Sequence, residues 1–206
     1  MISHNGQNNR NKLIKVFLII LLLYILPVVL MLVKIIPFEY RFYVLEFATV
    51  SVFTYSMLSG VKLNQLGFTK ENFKQSILSV LPMTVLLSIP MILAHFLGLI
   101  RIDNSTIPWQ FYLFFVFISS PSQELLYRGF LFHIFSEVKF EKQWRITFSS
   151  VLYSFVHAIY LDIPTLVLTL IIGFFWGMNY DKFRNIYSVM LSHSILGAIA
   201  ILVGLI

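Results

Sequence analysis

The sequence predicts an all-α fold, a polytopic membrane helix bundle of about seven transmembrane helices, and three observations predict it. Hydrophobic residues make up 58% of the 206 positions and charged residues 12%, with a mean hydropathy of +0.84. Soluble domains carry roughly 25% charge. Apolar runs recur at lengths that suit a bilayer, which needs about 20 residues per helical crossing. Lys and Arg gather in alternate connections, the mark of cytoplasmic loops.

The runs fall at 13–33, 42–61, 76–100, 105–136, 146–161, 163–180 and 186–206. The first follows a basic lead-in of Arg10, Lys12 and Lys15 that resembles a signal peptide. Its core from Val16 to Val33 is too long for a signal-peptide apolar region and lacks a small-residue cleavage site, so it reads as a retained anchor. The second and third runs are joined by Lys62 to Lys74, KLNQLGFTKENFK, the one sizeable polar connector. Pro27, Pro82, Pro90, Pro121 and Pro164 fall within or at the start of apolar runs, where proline kinks helices and frees backbone carbonyls. Pro121 matters most, because it precedes Glu124 by three residues. No internal repeat, low-complexity segment or linker is evident. The chain divides into a tail at 1–12, N-terminal transmembrane helices at 13–104 and a core at 105–206.

With the N-terminus inside, twelve of the fifteen Lys and Arg residues fall on the cytoplasmic side. One of the twelve, Arg128, belongs within a helix and is discounted. The other side receives Lys34, Arg41 and Arg101. An odd number of spans then places the C-terminus outside. The net charge of +6 does not point to nucleic acid, because the cations form no stripe with interleaved exposed aromatics. The absence of cysteine excludes disulfides, cysteine-ligated zinc, iron–sulfur clusters and a thiol nucleophile.

Glu124 and Arg128 sit in the middle of the fourth apolar run, and His157 and His193 lie inside later ones. A formal charge at the bilayer centre costs at least about 2.5–3.5 kcal/mol, so it needs a partner and marks a site. Glu124 and Arg128 are four residues apart, share a helix face and suit an ion pair. Taken alone, such a pair is as well explained by self-neutralisation in a packed bundle. The two histidines tilt the reading towards a site, because neutral imidazole serves as base and metal ligand. At about 1.5 Å rise per residue, His193 lies about 12 Å from Asn185, His157 about 18 Å from Arg145 and Glu124 about 22 Å from Lys139. That permits convergence near mid-membrane. His133 and His95 read as interfacial or packing residues, His4 as part of the tail, and Glu46 as a side chain snorkelling outward from the second span.

The segment Gln123-Glu124-Leu125-Leu126-Tyr127-Arg128-Gly129, then Tyr153-Ser-Phe-Val-His157, then His193 in the last run, resembles the CPBP family of intramembrane proteases. That family includes the CAAX prenyl endopeptidases and Abi-like bacteriocin-processing and immunity proteins. Its pattern is Glu-Glu-x-x-x-Arg, aromatic-x-x-x-His and His-x-x-x-Asn on separate helices. The resemblance covers about 105–206, and Leu66-Gly67-Phe68 looks like the short element that often precedes it. It implies a water activated by the first glutamate and first histidine, with the last histidine and the asparagine stabilising the oxyanion. Two positions depart from the pattern: Gln123 stands for the first glutamate and Gly197 for the asparagine. Glutamine cannot take a proton at neutral pH, and glycine offers no side-chain donor.

The resemblance therefore implies an intramembrane endopeptidase acting on a membrane-associated peptide or protein in a multi-pass, bacterial plasma-membrane setting. Glu124 would be the one carboxylate of the site, His157 the base or metal ligand, His193 the second ligand or oxyanion donor, and Arg128 the orienter of the Glu124 helix. Glu124, His157 and His193 could hold zinc or another divalent metal, or act on water directly. The rival is a pseudoprotease, the same bundle retained as a peptide-binding or immunity protein, and Gln123 argues for it. A small transporter would favour inverted repeats, and none is found.

Overall fold

The computed structural model describes residues 4–99 and 101–205. Among them, seven helices form the bundle: α1 at 4–32, α2 at Arg41–Leu58, α3 at Phe73–Phe96, α4 at 109–137, α5 at Lys142–Val156, α6 at Ile163–Phe183 and α7 at Ile186–Leu202. No strand occurs among the described residues. Three helices are long and apolar enough to cross a membrane on those grounds alone: Asn9–Leu32 within α1, then α3 and α6. The apolar α7 is shorter. The expected tail is helical from His4 onward; Met1 to Ser3 and Ile206 lie outside the described residues.

Proline explains two irregular stretches. A ring at position i removes one N–H and collides with the carbonyl at i−4. For Pro27 that carbonyl belongs to Leu23, inside a π-helical turn at Ile20–Ile25; for Pro121 it belongs to Phe117, inside a π turn at Phe115–Ser119. The wider turn is how the helix absorbs the ring without breaking. A third π turn, Leu125–Phe130, follows Glu124 directly. Pro82 and Pro90 sit inside α3 without such a turn. Pro164 lies in the first turn of α6, where a missing N–H costs nothing.

Backbone groups along α4 are met from neighbouring helices. Ser194 donates to the Val116 carbonyl (3.1 Å), Tyr24 to Leu126 (2.9 Å) and Ser149 to Tyr127 (2.7 Å). An irregular helix in hydrocarbon survives only with such partners. α5 packs closely on α6 through Gly173-x-x-x-Gly177. A Cβ at Gly173 would lie 3.2 Å from Ser150 Cα, and one at Gly177 would lie 3.2 Å from Ile146 Cγ2. Small residues at that spacing let helix backbones approach.

The polar connector is fastened to the bundle. Leu66 is fully buried, and its carbonyl lies against Gly129, 3.0 Å from where a Cβ would be. Gly67 adopts φ 87°, and its carbonyl accepts from Ile186 N–H (2.9 Å). Asn185 donates to the Thr69 and Glu71 carbonyls (2.8 and 3.0 Å). The connector thereby ties α4 to the start of α7.

Candidate active site

α4 supplies the acidic end of the site. Glu124 and Arg128 are both fully buried, and one Arg128 Nη donates to Glu124 Oε1 at 3.2 Å. The other Nη reaches the Gly173 carbonyl at 3.2 Å, on the α6 face that glycine opens. The guanidinium carbon stands 4.5 Å from the Tyr153 ring centre and 5.4 Å from that of Trp176. Glu124 Oε1 also meets His193 Nδ1 at 2.7 Å. One carboxylate thus orients a cation from its own helix and an imidazole from α7.

His193 is enclosed by aromatic rings. Trp176 stacks on it at 4.6 Å, while Tyr153 and Phe115 present edges at 5.6 and 6.0 Å. Its Nε2 lies 3.3 Å from the Tyr153 hydroxyl. A carboxylate paired with arginine accepts, so Nδ1 carries the hydrogen. In the neutral ring Nε2 is then an acceptor.

His157 stands at the junction where α5 ends and a 3₁₀ turn, His157–Tyr160, begins. The apolar run at 146–161 extends beyond the helix end at Val156, and Leu161 at φ 54° turns the chain where the run stops. His157 Nδ1 lies 2.8 Å from the Tyr153 carbonyl. A carbonyl only accepts, so this nitrogen donates and Nε2 keeps its lone pair. The Tyr153 ring touches both imidazoles, at 4.8 Å for His157 and 5.6 Å for His193.

A cavity of about 390 Å³ joins these groups. Gln123, Tyr153, His157, His193 and Gly197 line it, and none of its lining residues is Asp or Glu. Glu124 and Arg128 do not reach it; they support its wall from behind. The one-residue offset is the reason. Adjacent helical residues point about 100° apart, so Gln123 faces the cavity and Glu124 the packed core. Gln123 Nε2 donates to Ser119 Oγ (3.3 Å).

The metal set of Glu124, His157 and His193 does not assemble. Among the described residues no group of three or more His, Asp or Glu side chains is placed to hold a metal ion. The Tyr153 ring lies between the imidazoles, and Glu124 Oε1 is shared by Arg128 and His193 while its Oε2 has no hydrogen-bond partner among the described residues.

The remaining candidates take other places. Glu46 turns inward and accepts from Ser122 Oγ at 2.8 Å, contrary to the expected snorkelling, because α2 packs on α4 at that level. His95 is exposed in the last turn of α3. His133, half-buried near the end of α4, does not line the cavity. Reading for ionisable residues missed Tyr153, Phe115 and Trp176. The one available signal was the aromatic at the start of the Tyr153-x-x-x-His157 motif.

Residues 104–199 match the family model described as type II CAAX prenyl endopeptidase Rce1-like. This segment is similar to the Rce1-like family. The Rce1-like segment spans α4, α5, α6 and most of α7, and includes Glu124, Arg128, His157 and His193. No curated protein and no solved structure matches the chain.

Proposed function

We propose that the chain is an intramembrane endopeptidase that hydrolyses a peptide bond in a membrane-associated peptide or protein. The observation that carries this reading is the shared cavity of His157 and His193 inside a segment of type II CAAX prenyl endopeptidase type. His157 is the base: its Nε2 is left as an acceptor and takes the proton of a water that attacks the scissile carbonyl. His193 is held by Glu124, and Glu124 by Arg128. The setting is a bacterial plasma membrane; the basic residues of the alternate loops support a cytoplasmic N-terminus.

A second reading has an observation in its favour. The cavity holds the Gln123 amide where the CPBP pattern has a carboxylate, which suits a protein that captures a peptide without cutting it. Both readings meet in one assay, release of the C-terminal tripeptide from a farnesylated peptide ending in Cys-Val-Ile-Met by protein in liposomes. The endopeptidase reading expects measurable wild-type hydrolysis, loss with His157→Ala, and a gain with Gln123→Glu of up to about 10²- to 10⁴-fold, the worth of a positioned base. Peptide binding that survives His157→Ala, with no hydrolysis by the wild type or by Gln123→Glu, would establish the binding protein instead.

A further inference from the structure

Hydrolysis through a tetrahedral intermediate needs a donor aimed at the developing oxyanion. Position 197 cannot supply it, and its glycine is not a simple vacancy. A Cβ built there would lie 2.3 Å from Phe115 Cζ and 2.5 Å from Phe115 Cε1. The Phe115 ring, carried on the π turn that Pro121 enforces, fills the room that a side chain at 197 would take. Three other lining donors are engaged elsewhere. Trp176 Nε1 donates to Ser192 Oγ (2.8 Å), Thr169 Oγ1 to the Thr165 carbonyl (2.7 Å), and Gln123 Nε2 to Ser119 Oγ (3.3 Å).

Tyr153 differs from them. Its hydroxyl meets His193 Nε2 at 3.3 Å, long for an O–H donor, whose bonds cluster near 2.7–2.8 Å. A better-placed acceptor can win that proton. The Arg128 guanidinium lies over its ring at 4.5 Å. The ring itself is fixed by Tyr127, Trp176 and both histidines at 4.8–5.6 Å.

We propose that the Tyr153 hydroxyl is the oxyanion donor of this site, in place of the side chain absent at Gly197. As charge develops on the scissile carbonyl oxygen, the O–H rotates from His193 Nε2 to that oxygen. The proton stays on Tyr153, and no bond to the residue forms or breaks. Glu124 and Arg128 act as positioning residues: the first sets which His193 nitrogen faces Tyr153, the second packs over the ring face. The proposal rests on the endopeptidase reading.

The test uses the farnesylated peptide in liposomes with the full chain. Tyr153→Phe keeps the ring and its contacts while removing the hydroxyl. The expected result is a fall in kcat of about 10²- to 10³-fold, the measured worth of one oxyanion donor, with KM within about twofold and an unchanged melting temperature. An active wild type whose Tyr153→Phe form keeps its kcat, or loses only KM, overturns the proposal. A wild type without hydrolysis overturns the endopeptidase reading itself, and the donor role with it.

Discussion

At the scale of single residues the site is decided by which of two neighbours faces the cavity. Gln123 lines it and Glu124 is buried behind it, so the carboxylate at 124 does not face the cavity. Packing likewise limits any attempt to place an asparagine at 197. With Phe115 Cζ 2.3 Å from the added Cβ, Gly197→Asn alone forces one ring or one helix to move. It should lower stability by about 1–3 kcal/mol, the usual cost of overpacking, read from the thermal melt of purified protein. Gly197→Asn with Phe115→Ala should recover part of that loss. A single variant as stable as the wild type would show that the ring yields freely. The ionisable members of the site were legible in the sequence, because charge in an apolar run has no cheap explanation. The Phe115–Gly197 fit was not, since 82 residues and four helices' worth of packing separate the two in the chain.

At the scale of elements, spacing located all seven helices, and helix ends were less legible. The fifth apolar run extends to residue 161, but α5 stops at Val156, and that stop brings His157 onto the cavity wall. Hydropathy does not register a left-handed residue such as Leu161. The π turns of α4 were legible only through Pro121; Leu125–Phe130 has no proline and lies beside the buried ion pair. The start of α6 offers a separate test. Asp162 accepts from Thr165 N–H at 2.8 Å as the N-cap and pairs with Arg101. The hydrogen bond from Arg101, then the one from Thr165, holds its carboxyl down at about 2. Its contribution is therefore present above its ordinary value near 3.8 and is lost as pH falls through about 2. Asp162→Ala should cost about 1 kcal/mol at pH 7, as N-cap losses do, and the difference from wild type should shrink as pH falls from about 4 and vanish below about 2. A constant difference across that window would mean that the carboxylate does not act as a cap.

At the scale of the whole molecule, the cavity and the basic loops occupy opposite ends of the bundle. Its lining comes from the first turns of α2 (Arg41, Phe42), the early part of α4 (Phe111, Phe115) and the start of α6 (Thr165), together with the ends of α3, α5 and α7 (Met91, His157, Ile201). In an antiparallel arrangement those are all one end. Lys62, Lys70, Lys139, Lys142, Lys182 and Arg184 lie in or beside the connections of the other end, where Asp181 gathers Arg145, Lys142 and Arg184 at 2.8–3.8 Å. If the basic end faces the cytoplasm, the cavity opens outward, and a substrate enters from the external leaflet or the external water. The chain has no cysteine, so single introduced thiols report cleanly. Leu161→Cys places one at an 81% exposed position on the cavity end, and Trp144→Cys one at a 50% exposed position on the basic end. A membrane-impermeant maleimide added to intact cells should label the first at once and the second only after permeabilisation. The reverse pattern would place the cavity on the cytoplasmic side and overrule the charge count, while labelling of both in intact cells would mean that the bundle does not separate two compartments.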